Sequence, residues 1–333
     1  MKAKIIATGI LALATVGATA QNLNGAGATF PYPIYSKWFN EYSQQHPNVK
    51  INYQSIGSGG GIRQVTEGTV DFGAADITMT DEQIAGSKVK VQPIPTVLGA
   101  VVPVYNVPGL NKELNFSGDV IADIYLGTIS NWNDARIAKD NPGVNLPNQP
   151  ILPVYRSEGS GTTFIFTDFL SKTNHDWSTR VGKNSSVKWP TGIGQKGNEG
   201  VAGMVRQTPY SFGYVELIYA LQNKMSFGAV KNSAGKYVKA STDGVTAAAA
   251  GAKAMPADYR ISITNAPGAD AYPISSFTWL LVPTHADAGK QKALADFLTW
   301  MLDHGENEAS SLSYAPLPKQ VQDMVRKTIT QIK

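Results

Sequence analysis

Apolar positions along the chain fall into two alternating patterns. Ile34, Trp38 and Tyr42 recur every four residues and predict a helix over 33–45. Residues 49–55 alternate apolar and polar side chains and predict a strand, as do 70–76, a run that ends in the carboxylate of Asp76. An extended apolar run covers 95–105, and shorter runs at 151–155 and 275–282 read as buried strands. Helical spacing returns at 62–67, 117–126, 132–139, from Phe164 onward, up to about Gln207, and at 245–253. Leu294, Phe297, Leu298, Met301 and Leu302 mark an amphipathic helix over 286–303, and a closing helix is expected over 318–332. Thr80 and Asp81 predict a capped helical turn, residues 213–216 a strand end, and 233–236 a turn. Strands alternating with helices argue for an α/β architecture with mostly parallel sheets. In such sheets, ligands bind at the carboxyl ends of strands, beside helix N-termini.

The stretch R-S-E-G-S-G-T-T at 156–163 lies at such a junction, between an apolar strand and the apolar start of a helix. Free backbone amides and the helix dipole favour an anion there. Hydroxyls of Ser160, Thr162 and Thr163 add donors, and Arg156 adds a forked cation suited to a tetrahedral oxyanion. The plainer reading is an ordinary N-cap at Ser160 with a solvated Arg156. Three further places repeat the pattern of a hydroxyl or carboxylate beside glycine or alanine: Thr29, Ser58 and Asp76. Several such sites plus one arginine are better explained by one small anion held in common.

Residues 1–20 stand apart from this pattern. Lys2 and Lys4 precede an apolar stretch, and Ala18-Thr19-Ala20 forms a small-residue cleavage site, so a secretory signal peptide and export to the periplasm are expected. The chain has no cysteine, hence no disulfide, no thiolate metal site and no cysteine for a lipid anchor. Its 333 residues, 42% of them hydrophobic, suffice for two lobes of ordinary size. The formal net charge of +4 drops by two once Lys2 and Lys4 are removed, too mild for nucleic-acid binding, and no dense basic run supports that partner. His46, His175, His285 and His304 are not at metal-ligand spacing and read as surface or loop residues.

The motifs G-A-G-A-T-F-P, I-G-S-G-G-G, V-D-F-G-A-A-D and R-S-E-G-S-G-T-T occur in this order, followed by W-P-T-G-I-G-Q-K-G-N-E-G-V at 189–201 and G-Y-V-E at 213–216. Together they resemble the periplasmic phosphate-binding proteins of Pst-type uptake systems, from about Asn24 to near the C-terminus. The resemblance implies a type II periplasmic-binding-protein fold, two α/β lobes with a ligand cleft between them. It places lobe 1 at 21–98 and 273–333 and lobe 2 at 99–272, with the crossovers in 95–105 and 270–282. It further implies a monomer that binds inorganic phosphate, without cofactor or metal, and delivers it to the membrane permease subunits of an ABC transporter. The family's ligand positions fall on Thr29, Phe30, Ser58, Asp76, Arg156, Ser160, Gly161 and Thr162, with Phe30 and Gly161 acting through backbone N–H groups. Gly59 and Ala75 stand where familiar relatives carry serine, and Glu158 where many carry aspartate.

Selectivity has a simple chemical basis in such a set. Phosphate carries a proton at neutral pH and sulfate does not, so the acceptor Asp76 would welcome the first and oppose the second. The alternatives are a binding protein for another tetrahedral oxyanion, such as sulfate or molybdate, and a secreted phosphatase-like enzyme. No G-x-S-x-G surrounds Ser58 or Ser160, and no His/Asp grouping for a metal is present, so an enzyme is not expected. Residues 192–197 match G-x-G-x-x-G but follow Trp-Pro rather than a clear strand, which makes a supporting turn the better reading. Tyr105, Trp189 and Tyr214 are expected to pack in the core.

Overall fold

A computed structural model describes residues 20–284 and 287–332. The expected leader over 1–20 lies outside these residues except for its last position, and so does His285.

The first helix, Tyr32–Gln45, buries Ile34, Tyr35, Trp38, Phe39 and Tyr42 along the face that the spacing predicts. It packs on a parallel triad in which Gln21–Gly27 lies between Val49–Ser55 and Phe72–Ala75. A second parallel triad joins Ser211–Glu216, Leu152–Arg156 and Ile193–Gln195 in that spatial order. Between the triads the expectation of mostly parallel sheet fails. Val91–Tyr105 pairs antiparallel with Ser275–Pro283 through its first ten residues and antiparallel with Ser211–Glu216 through its last five. Ser275–Pro283 in turn pairs antiparallel with Phe72–Ala75. The reason is topological: the chain leaves the first triad along one long strand and returns beside it in the opposite direction. Nearly all of Val91–Tyr105 and all of Ser275–Pro283 is buried, so these strands read as predominantly apolar runs without alternation, broken by a few hydroxyl residues such as Thr96 and Thr278.

Among the described residues, six strands escape the hydrophobic pattern, four of them the short Asn115–Phe116, Ser226–Phe227, Ala229–Lys231 and Tyr237–Val238, three of which form a separate small sheet. Gln21–Gly27 reads Q-N-L-N-G-A-G and Ile193–Gln195 sits inside a glycine-rich stretch, so neither shows apolar alternation; pairing with neighbours decides them. The helix expected at 62–67 begins four residues earlier, as Ser58–Glu67, because three consecutive glycines discourage a helical reading. At least one is needed there: a Cβ on Gly61 would lie 2.6 Å from both the Ala74 carbonyl oxygen and Gly27 Cα, where helix and sheet nearly touch. The short helices His175–Arg180 and Leu217–Gln222 and the 3-10 segment Gly305–Leu312 were also not expected. Elsewhere the elements follow the pattern, including Asp81–Ala85 behind a Thr80/Gln83 capping box and the helices Gly118–Leu126, Thr242–Gly251, Ala288–Asp303 and Lys319–Ile329.

One contiguous apolar core runs through both halves. Tyr125, Phe166, Trp189 and Tyr214 pack together in one half, with the Phe166 and Tyr214 rings stacked at 4.1 Å between centroids; Tyr35, Tyr53, Phe72 and Phe297 pack tilted or edge-on against Phe39 in the other. In a chain without cysteine this burial is the main stabilising term. The architecture also sets where chemistry gathers: the residues that follow the C-terminal ends of both triads meet on one side of the sheet.

Candidate functional site

Helix Gly161–Thr173 forms one wall. Ser160 caps it, its Oγ accepting the Thr163 N–H at 3.1 Å, so the amides of Gly161 and Thr162 open the helix without intrahelical partners. Arg156, at the end of its strand, is 3% exposed and held from three sides. Its Nε donates to Glu158 Oε1 at 3.0 Å, and Nη2 also pairs with that oxygen. Nη1 donates to Thr162 Oγ1 at 3.2 Å, while the backbone N–H donates to the Tyr214 hydroxyl at 3.2 Å. Glu158 Oε1 also accepts the Gly197 N–H at 3.0 Å, which ties the arginine's partner to the start of the helix Gly197–Gln207 that follows the third strand of the triad. Glutamate in place of aspartate therefore still reaches and orients the guanidinium. The plainer reading of a solvated Arg156 does not hold.

Thr29, Ser58 and Asp76 follow the three strands of the other triad. Asp76 is 2% exposed and neither caps a helix nor, among the described residues, pairs with a cation. Its Oδ1 accepts the Thr278 hydroxyl at 2.7 Å, and Oδ2 lies 3.3 Å from Ser58 Oγ, which in turn accepts the Asp76 N–H at 3.1 Å. Burial pushes the Asp76 carboxyl up to about 7, against the opposing pull of Thr278, Arg156 and Ser58. Thr29 Oγ1 accepts the Asn198 side-chain N–H at 2.8 Å, and its carbonyl accepts the Tyr219 hydroxyl at 2.6 Å. Phe30 is fully buried against Tyr314, whose hydroxyl donates to the Phe30 carbonyl at 2.6 Å and fixes the peptide that follows Phe30, while Tyr219 fixes the one that carries the Phe30 N–H.

The two walls meet closely. A Cβ on Gly161 would stand 2.5 Å from Asp76 Cβ, Asp76 Oδ2 and Ser58 Oγ. Gly59 N–H donates to the Gly159 carbonyl at 2.9 Å, and a Cβ on Gly59 would come within 3.1 Å of Gly159 Cα. Serine at 59 would crowd this contact. Asn198 bridges the walls, donating to both Thr29 Oγ1 and Thr162 Oγ1, the latter at 3.1 Å. All eight residues singled out in the sequence thus lie in one place.

Sequence reasoning missed three contributors. Asn198, fully buried, lies inside a glycine-rich motif whose role reads as a turn. Thr278 is one of three hydroxyl residues, with Ser275 and Ser276, in a buried strand, and its place between Phe277 and Trp279 is the one signal that marked it. Tyr219 follows the G-Y-V-E motif on an unexpected helix. Tyr105 and Tyr214 are buried as expected and Trp189 stacks on Tyr155 at 5.0 Å, but Tyr214 also braces the site through its contacts with Arg156 and Thr163. A cavity of about 200 Å³ reaches Asp76, lined also by Asp168, Lys183, Arg260, Ser262, Thr264 and Trp279. No group of histidine, aspartate and glutamate able to hold a metal occurs among the described residues.

A buried arginine, a buried carboxylate and two helix N-termini, set between α/β halves joined by crossing strands, define a substrate-binding protein of the periplasmic-binding-protein superfamily. A PBP superfamily domain matches residues 13–304. The chain is 46% identical over 299 residues to the phosphate-binding protein PstS of Xylella fastidiosa strain Temecula1, covering 89% of this chain and 81% of that one. It is also 46% identical to PstS of Pasteurella multocida, over 91% of this chain and 88% of the relative. The chain belongs to the PstS family of phosphate-binding proteins. Among solved structures, a putative phosphate ABC transporter substrate-binding protein with bound phosphate from Clostridium perfringens shares the fold, with TM-score 0.66 at 18% identity, 90% of this chain and all of that one being covered.

Proposed function

We propose that this chain is a periplasmic receptor for inorganic phosphate that acts without catalysis and delivers its ligand to an ABC importer. The observation that supports this reading most is the pairing of one buried cation with one buried, largely unneutralised acceptor. Arg156, Ser160, Thr162, Ser58, Thr29 and the amides of Phe30 and Gly161 supply donors for phosphate oxygens. Asp76 supplies the acceptor that a donor-only site lacks. Monohydrogen phosphate satisfies it with its own proton, whereas sulfate opposes lone pairs to lone pairs and leaves a buried mismatch of roughly 1–3 kcal/mol or more.

Lobe 1 would comprise 21–98 and 273–333, and lobe 2 residues 99–272, with Val91–Tyr105 and Ser275–Pro283 as the crossing strands. Contacts such as Gly59 to Gly159 and Asn198 to Thr29 then form as the lobes close over the ligand. The open, monomeric form would receive phosphate after export under the leader at 1–20, and the closed form would dock on the permease subunits. Isothermal titration with phosphate, sulfate and arsenate, beside an assay with a chromogenic phosphate ester, tests the proposal. Tight phosphate binding, weak sulfate binding and no ester turnover are expected; preference for sulfate, or turnover, overturns it.

A further inference from the structure

Every position of strand Ser275–Pro283 is buried, and Thr278 lies next to its central residue, Trp279. The pairing with Val91–Tyr105 slips there: Thr278 faces Val97, Trp279 faces Pro95, and Thr96 is the extra residue of a bulge. Thr96 does not go unsatisfied. Its Oγ1 accepts from the Tyr35 hydroxyl at 2.7 Å and donates to the Thr278 carbonyl at 3.3 Å, an assignment that gives each hydroxyl one proton to donate. The bulge leaves the Thr278 hydroxyl directed at Asp76 Oδ1, 2.7 Å away, in preference to the Ala75 carbonyl at 3.4 Å. With Oδ1 occupied, Oδ2 is the oxygen on the side of Ser58 and Gly161, where the proposed ligand sits.

Resting on the phosphate-receptor reading above, we propose that Thr278 is a positioning residue for anion selectivity: its hydroxyl ties down Oδ1 and holds Asp76 as an acceptor through Oδ2 alone. A hydroxyl donor favours the carboxylate over the carboxylic acid and counters the effect of burial. Other ionisable groups around Asp76 act in both directions. Arg156 favours its charge; Glu216, Tyr35, Tyr53, Tyr219 and Tyr314 lie close enough to feel its charge, and Asp168, Lys183 and Arg260 line the cavity that reaches it. Sulfate brings no proton, so its binding requires Asp76 to take one from solvent. Its affinity should therefore rise as pH falls through the Asp76 titration, while phosphate already carries the shared proton.

Thr278→Val keeps the β-branched shape and removes the hydroxyl; Thr278→Ser restores it; Thr278→Ala repeats the deletion without the extra methyl. Phosphate and sulfate affinities of the whole chain would be titrated from about pH 5.5 to about pH 8.5, with Asp76→Asn as the reference for the site itself. For Thr278→Val and Thr278→Ala, the midpoint of the sulfate profile should move up by about one pH unit. The sulfate-to-phosphate affinity ratio near pH 7.5 should rise roughly threefold, and Thr278→Ser should return both to wild type. A hydroxyl that only steadies the strand would lower both affinities together and leave the midpoint in place, which overturns the proposal. So would a serine variant that behaves like valine. If Asp76→Asn shifts the ratio and Thr278→Val does not, the positioning role alone fails; if neither shifts it, the selectivity assigned to Asp76 fails as well.

Discussion

Gly161→Ala isolates the closeness of the two walls. The added methyl would begin 2.5 Å from Asp76 Cβ, Asp76 Oδ2 and Ser58 Oγ, whereas carbon atoms rest at about 3.5–4 Å, so roughly 1 Å of separation must be found. Neither wall can yield it locally. Gly161 begins a helix anchored by Ile165, Phe166 and Phe169 in the core. Asp76 is held by Thr278, and Ser58 starts a helix seated against Gly27 and Ala74 through Gly61. The relief is an opening of the walls, which stretches the Gly59–Gly159 and Asn198–Thr29 hydrogen bonds. Overpacking of this kind costs about 1–3 kcal/mol, which corresponds to a phosphate affinity roughly five- to 150-fold weaker. The cost would fall on the closed form, because alanine is at least as good a helix former as glycine and the proposed open form would leave room for the methyl. Titration should show the weakened binding, while the melting temperature of the phosphate-free protein changes little. Small-angle scattering should show less compaction at saturating phosphate than for wild type. Wild-type affinity with wild-type compaction would refute the argument that the walls close to this distance around the ligand.

Three further outcomes follow from the same geometry. Arg156→Ala should weaken phosphate binding by roughly 2–4 kcal/mol; pairing it with Glu158→Gln keeps an uncompensated, half-buried carboxylate from confusing the result, and unchanged affinity by titration would remove Arg156 from the site. Asp76→Asn keeps one carbonyl acceptor and adds an N–H₂ donor, so competitive titration should show sulfate gaining on phosphate, and a constant ratio in folded protein would sink the role given to Asp76. Burial raises Asp76 to about 7 and Glu306 to about 8, so the folded chain holds protons that the unfolded chain releases. This contribution is complete below about pH 4 and is lost as pH rises through the folded values, so melting temperatures without phosphate should climb as pH falls from about 8 to about 5. Melting temperatures that fall over that range, or an Asp76→Asn variant with an unchanged slope, would contradict the assignment.

The sequence by itself determined the α/β class and the placement of most helices, because a period of four apolar residues in Tyr32–Gln45 or Ala288–Asp303 is a local property of the chain. It also marked the glycine-flanked junctions at Thr29, Ser58, Asp76 and Ser160, since small residues and hydroxyls beside strand ends carry their own signal. Tertiary structure decided the rest. Gln21–Gly27 becomes a strand only because two neighbours pair with it, and the antiparallel seam arises from the path between halves, which no local pattern records. The contacts of Arg156 with Glu158, of Asn198 with Thr29 and of Thr278 with Asp76 span from 2 to 202 positions; the shortest was legible as a nearby pair of charges, and the others were not. A threonine in a buried strand looks the same in sequence whether its hydroxyl meets a backbone carbonyl or a carboxylate. Only the bulge beside Thr278, a product of how two distant strands fit together, settles which of the two it meets.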